Sequence, residues 1–531
     1  MTIRTIPYSK TGYFSKLMCD YVAENPTLDY FYGRFPKLEN FKGQLEEKQL
    51  LFNYDSRKTL VRALEKQYGN TNTSEATGNN ISSLSEANTF TITTGHQLNL
   101  FTGPLYFLYK IFSVINLSEK LKETYPDSNF VPIYWMATED HDFDEINYFN
   151  LFGKKIEWKR ESAGAVGALS TEGLSEILKD LKIQLGESDN AIKLTALFSE
   201  AYTNHENLAD ATRYLGNKLF SDYGLVIVDG NDKALKEEFA PYVKQELLEG
   251  NSYSEITATS NRLTDLGYPQ QVFPREINLF YLADGIRERI IEKEGQFYVN
   301  DTSIKFSRDE ILVELEKNPH NFSPNALLRP LYQEIILPNL CYVGGGGELA
   351  YWFQLKDYFE SVGIPFPILL LRNSVLLMNE KDSEKLEKLD VTLDSLFLPK
   401  HELEAKYTLQ LSKVNIDFTK QKAHLIEQFK ALHNLAKETD TSFEGAVAAQ
   451  EKKQINGLAH LEKRLLTAQK RKHSDQLKRL TAIQTILFPK QSLQERLVNF
   501  SEFYLEFGDE LLLELKQNLD PLANEFTVLE L

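Results

Sequence analysis

The chain has 531 residues and a formal net charge of −17, with 42% hydrophobic and 25% charged residues. That length suits two or three domains, or one large α/β core with an appendage, and the acidic balance argues against nucleic acid as a partner because phosphate binding needs a concentrated basic surface. The two cysteines, Cys19 and Cys341, exclude a disulfide framework; with no apolar leader at the amino end and no apolar run of bilayer length, a cytoplasmic protein with no membrane partner is expected.

Residues 1–88 read as mixed and mostly helical, and the Asn-, Thr- and Ser-rich stretch 69–83 predicts a mobile polar loop. Residues 89–94 have strand propensity and stop at Gly95-His96-Gln97. Apolar residues Leu105, Leu108, Ile111, Phe112, Ile115 and Leu117 then recur at helical spacing to Lys122. Residues 131–136 form a second strand, apolar on both faces. A strand of that kind, one helix away from its predecessor, predicts a parallel βαβ unit. Its two strand-end segments, Thr94-Gly95-His96-Gln97 and the run from Glu139 to Glu145, should share the sheet edge where α/β proteins bind ligands.

Helices are expected over 174–185 and 197–220, a third buried strand over 224–230 and a strand-rich insertion at about 269–304. A tract holding Asn325 and Arg329 leads through a helix to a strand at 340–343, then to four glycines, Gly344, Gly345, Gly346 and Gly347, and Glu348. Helical residues 349–359 and a last strand, 366–371, ending at Arg372, complete the core. From Glu380 the composition turns charged and helical. Leu411, Val414, Phe418, Leu425, Leu432 and Leu435, with Gln421 and Gln428 at the missing positions, fit a heptad; Ile455, Leu458, Leu465, Leu480, Ile483 and Leu487 mark a second helix that folds back on the first. A third helix over 493–519 packs on the core. The expected organisation is a core over 1–379, a coiled-coil hairpin over 380–489 and a carboxyl-terminal helical segment over 490–531.

Gly95 lets backbone approach a ligand, and His96 at a strand-to-helix turn is placed to donate to a phosphate or carboxylate. The turn after Met136 sets five carboxylates around His141; Asp140, His141 and Asp144 are candidates for general acid/base work, capture of an amine, or a divalent cation. Consecutive glycines belong where backbone passes very close to something. Asn325 and Arg329 fall on one face at helical spacing, and with Arg275, Arg287 and Arg372 they are the candidates for anionic substrate groups. Cys341, inside an apolar strand, reads as a small buried hydrophobe.

The segments TTGHQLNLFTGPLYFLYK, PIYWMATEDHDFDEIN and FSPNALLRPLYQEIILPNLCYVGGGGELAYW, with the trailing coiled coil, resemble the bacillithiol-biosynthesis cysteine ligase family, BshC, over nearly the whole chain. The resemblance implies a Rossmann-like parallel-sheet core akin to nucleotidylyl transferases and class I synthetases, with connecting insertions and a coiled coil used for homodimerisation. It also implies an amide-forming ligase that adds cysteine to glucosaminyl malate, with ATP and Mg2+ as the expected activating partners. Thr94, Gly95, His96 and Gln97 correspond to the first nucleotide-binding signature of that superfamily; a second, Lys-Met-Ser-Lys-Ser loop is missing. Two alternatives stand beside this reading, a nucleotide-binding scaffold or regulator and a metal-dependent hydrolase.

Overall fold

Five parallel strands form the centre of the computed structural model, which describes residues 2–531. They are β1 (Thr89–His96), β2 (Asn129–Met136), β3 (Val226–Asp229), β4 (Asn339–Gly344) and β5 (Ile368–Leu371), in the order β5-β4-β1-β2-β3. Each neighbouring pair is parallel. Both faces of the sheet are covered, which is why these strands are buried almost throughout; β2, β4 and β5 carry apolar residues on both sides, while β1 sets Thr91 and Thr93 on one side, both bonded to Asn339. Because the strands share a direction, His96, Met136, Asp229, Gly344 and Leu371 stand at a common edge. The crossover from β1 to β2 is α1 (Tyr106–Thr124), buried on nearly every side from residue 107 to 118. Two further helices reach the same edge, α2 (Arg329–Ile336), just before β4, and α3 (Gly346–Trp352), just after it.

Several expectations change in the folded chain. The polar stretch 69–83 contains a helix, Glu75–Ser83, capped by Ser74 and docked through Thr77 and Asn80 onto the backbone of Leu225 and Gly224. Its Asn, Thr and Ser residues are caps and docking groups, a use that composition alone does not distinguish from a loop. Residues 197–220 hold two helices, Asp189–Thr203 and Leu208–Phe220, the second capped by Asn207. Residues 493–519 divide into Ser501–Phe507 and Glu510–Asn518 around Gly508, whose φ of +58° ends the first helix. The strands Leu279–Ala283, Ile286–Lys293, Gln296–Val299 and Lys305–Ser307 form an antiparallel sheet that Phe322–Pro324 joins at one edge, so the strand-rich part reaches past residue 304. The two chain ends meet in a third sheet, where Phe526–Glu530 lies between Thr2–Ile6 and Val375–Met378.

The coiled-coil hairpin is α4 (Thr419–Ala436) against α5 (Thr441–Lys472). Leu411, Val414 and Phe418 precede α4, which begins only at Thr419, whose N–H donates to Asp417 at 2.8 Å, so the heptad read from the sequence is out of register. The seam keeps Leu425 and runs on through Phe429, Ala436 and Val447, with a hydrogen bond between His433 and Glu451 at 2.8 Å and an ion pair of Lys422 with Glu462 at 2.6 Å in the polar positions. Leu432 and Leu435 face outward. With so few large apolar residues per turn, neighbouring registers look alike in sequence, and complementary charges across the seam select one.

Candidate active site

At the end of β1, Thr94 donates through Oγ1 to the carbonyl of Val343 at 2.8 Å, tying β1 to β4. The carbonyl of Gly95 accepts from Lys110 Nζ at 2.6 Å. His96 is 6% exposed and packs against the rings of Tyr106 and Phe107, with Nε2 buried and unpartnered. Burial, and then the positive charge of Lys110, lower its pKa to about 3, so the imidazole is neutral at pH 7 and offers an uncharged polar atom to the edge. A His depressed from about 6.5 to about 3 binds a proton in the unfolded chain but not in the folded one between those values, so its contribution to stability is present above pH 6.5 and is lost as pH falls toward 3. The stability advantage of the wild type over His96→Gln should therefore shrink by about 1.4 kcal/mol per pH unit through that window. Urea denaturation at a series of pH values measures it, and parallel curves would mean that His96 titrates normally.

The acidic turn meets this strand end directly. Gln97 donates its side-chain amide to Asp140, which also accepts the backbone N–H of His141 at 2.7 Å. Arg287, reaching in from the antiparallel insertion, lies 3.6 Å from Asp140 and 2.6 Å from His141 Nδ1. Burial opposes ionisation of Asp140, but the Gln97 hydrogen bond and the Arg287 charge outweigh it and hold the carboxyl below its ordinary value. Glu139 points the other way into an ion pair with buried Lys236, which donates as well to the carbonyl of Phe322 at 2.7 Å; this pair anchors the turn. Asp144, grouped with Asp140 and His141 by sequence, sits exposed on the short helix Phe143–Ile146, and its side chain makes no hydrogen bond or ion pair among the described residues. Its side chain is therefore not brought to Asp140.

The glycine run closes the edge from the β4 side. A Cβ on Gly344 would lie 2.9 Å from the Tyr342 ring, and one on Gly346 2.9 Å from Met18, so these two are glycines because the protein itself is in the way. Gly345 donates its N–H to Glu348 at 2.8 Å, and Gly347 has only the amide end of Gln271 nearby. Glu348 also accepts from the Tyr342 hydroxyl at 2.8 Å and pairs with Lys110 at 2.7 Å. Burial disfavours its charge, yet Lys110 and these donors keep it ionised. Its oxygens are thus committed within the protein. Lys110, which sequence reasoning passed over, bridges Gly95 to Glu348 and so joins the β1 end to the glycine turn; the available signal was a lysine as the one charged residue in the stretch 106–118 of the helix.

Arg329 opens α2 with its guanidinium over Trp135 and Tyr342. One nitrogen donates to Gln333 at 3.0 Å, and Nη2 is buried without a well-formed hydrogen bond among the described residues, the Tyr351 side chain lying near the guanidinium. Asn325 lies before this helix and accepts from the N–H groups of Leu327 and Leu328, so it does not share a helical face with Arg329 as the spacing suggests. Arg372 is held by buried Glu495 and is not free for a ligand. Cys341 is fully buried, which pushes its thiol well up and leaves it inert.

The model of the BshC N-terminal Rossmann-like domain matches residues 1–373, and that of the BshC C-terminal coiled-coil domain matches residues 375–531. The chain belongs to the BshC family. A BshC protein of Christiangramia forsetii is 54% identical over 100% of this chain and 99% of its own length. Relatives from Flavobacterium psychrophilum, 55% identical over 99% of both chains, and Cytophaga hutchinsonii, 38% identical over 98% of this chain and 97% of the other, match as fully. All three carry cysteine ligase BshC as a provisional name. BshC is thus a Rossmann-like domain followed by a coiled coil, and the edge holding His96, Asp140 and Arg329 lies in the first of these.

Proposed function

We propose that this chain is the ligase that joins L-cysteine to glucosaminyl malate by an amide bond to make bacillithiol. The observation that carries the reading is its full-length identity to proteins named as cysteine ligases; a sheet edge with unpartnered polar atoms on His96 and Arg329 beside an ionised Asp140 supports it. A carboxylate is a poor electrophile, so an oxygen of the cysteine carboxylate first attacks a phosphorus of ATP and expels part of the nucleotide. The amine of glucosaminyl malate then attacks the activated carboxyl carbon, the phosphorylated oxygen leaves, and Asp140 takes the amine proton. His96 Nε2 and Arg329 Nη2 supply polar contacts to the anionic groups and the Gly345 to Gly347 turn borders them; Mg2+, if bound, would be carried by the phosphates of ATP and would neutralise their charge. The scaffold and hydrolase alternatives have no observation of their own in favour. Purified protein given ATP, Mg2+, cysteine and glucosaminyl malate should form bacillithiol, detected by mass spectrometry, and omission of ATP should stop it. No amide product from the full mixture removes this reading.

The same reading includes a homodimer built mainly through residues 380–489. Among the described residues the hairpin leaves Leu432, Leu435, Phe443 and Leu461 between 42% and 53% exposed, more apolar surface than one hairpin covers by itself. Leu432→Glu, Leu435→Glu and Leu461→Glu in one chain should halve the mass measured by light scattering. A mass that stays dimeric rules out this surface.

A further inference from the structure

The antiparallel insertion carries a groove of about 240 Å3 that includes Arg275, Arg289, Phe273, Phe280 and Asn325. Among the described residues neither Arg275 nor Arg289 makes a side-chain hydrogen bond or an ion pair, although acidic residues outnumber basic ones in this chain, and no carboxylate lines the groove. The neighbouring depression, which Arg275 and Arg289 line as well, includes Glu276 and Glu292. The arginines are also positioned by the fold. Fully buried Asn278 accepts the N–H of Arg275 at 3.0 Å, donates to its carbonyl at 2.8 Å and accepts from the Asn325 amide at 2.8 Å, and it is held in turn by Ser252 and Glu246. Arg289 stands opposite Phe280 across the strand pair.

Phe280 connects this groove to the acidic turn. Arg287 lies on the same face as Arg289, two residues and therefore about 7 Å away along the strand. Its guanidinium covers the Phe280 ring at 4.0 Å while touching His141 and approaching Asp140, and the Phe280 and His141 ring centres are 5.6 Å apart. A ligand lying along Phe280 therefore has a carboxylate and an imidazole at one end and two unpaired guanidinium groups at the other. That is the complement of a small molecule bearing an amine near a pair of carboxylates.

We propose that the groove binds a dicarboxylate, namely the malate end of glucosaminyl malate, and so places the sugar amine at Asp140 and His141. This rests on the function proposed above. Two guanidinium–carboxylate contacts account for affinity and for discrimination against an amino sugar without the acid. Calorimetric titration of wild type and of an Arg275→Gln/Arg289→Gln variant, using glucosaminyl malate and the methyl glycoside of glucosamine as probes, tests it without turnover. Glucosaminyl malate should bind wild type more tightly than the methyl glycoside, and the double variant should lose about a hundredfold for the former and nothing for the latter. In steady state the variant should show a raised KM for glucosaminyl malate with kcat and the cysteine KM unchanged. Wild type binding the malate conjugate with the variant equal to it overturns the groove alone. Wild type binding no glucosaminyl malate overturns the groove together with the substrate assignment.

Discussion

Asp140→Asn is expected to lower kcat/KM for amide formation by about a hundredfold or more while costing no more than about 2 kcal/mol of stability. The carboxylate is ionised in a partly buried setting, held by Gln97 and Arg287 at the edge where the parallel strands end. Asparagine keeps the shape and can still accept from the His141 N–H, but it cannot take a proton from an attacking amine. Asp144→Asn serves as the control, because Asp144 is exposed and unpartnered, and it should turn over as wild type. Rates for both variants at saturating ATP decide the matter; an Asp140→Asn enzyme at the wild-type rate excludes this carboxylate from the chemistry.

Arg372→Met should destabilise the protein by about 3–5 kcal/mol, the largest stability effect expected of any single change discussed. Arg372 and Glu495 are 5% and 1% exposed and meet at 2.8 and 3.1 Å, and Glu495 also accepts the N–H of Val375 at 3.0 Å. Removing the arginine leaves a carboxylate in the interior with no counter-charge. Replacing both partners, in Arg372→Met/Glu495→Met, removes that uncompensated charge and should recover most of the loss. Denaturant midpoints of the single and double variants provide the comparison, and equal destabilisation of the two would show that the pair is not coupled. The pair joins the residue that follows β5 to the carboxyl-terminal part of the chain, so its loss should also loosen the terminal sheet that holds Phe526–Glu530 beside Val375–Met378.

Sequence alone determined the parallel core and the edge at which to look. Strand residues such as Ile92, Val131, Ile133 and Val343 are apolar on both faces because helices cover both sides of the sheet, and that pattern is local and periodic. The common direction of the strands then required His96, the turn carrying Asp140 and the glycine run to meet, and the contacts of Gln97 with Asp140 and of Lys110 with Gly95 and Glu348 are the consequence. What each polar residue does there was decided only by tertiary structure. Arg372 and Arg329 look equivalent in sequence, yet one is neutralised by Glu495, 123 residues away, and the other lies over the rings of Trp135 and Tyr342 and donates to Gln333. Asp140 and Asp144 are four residues apart in one acidic run, but only the first is reached by Gln97 and Arg287. Lys110, the hairpin register and the pairing of the two chain termini were hidden for the same reason. An ion pair or a strand pairing depends on a partner distant in the chain, and periodicity records which side of an element is buried but not what it is buried against.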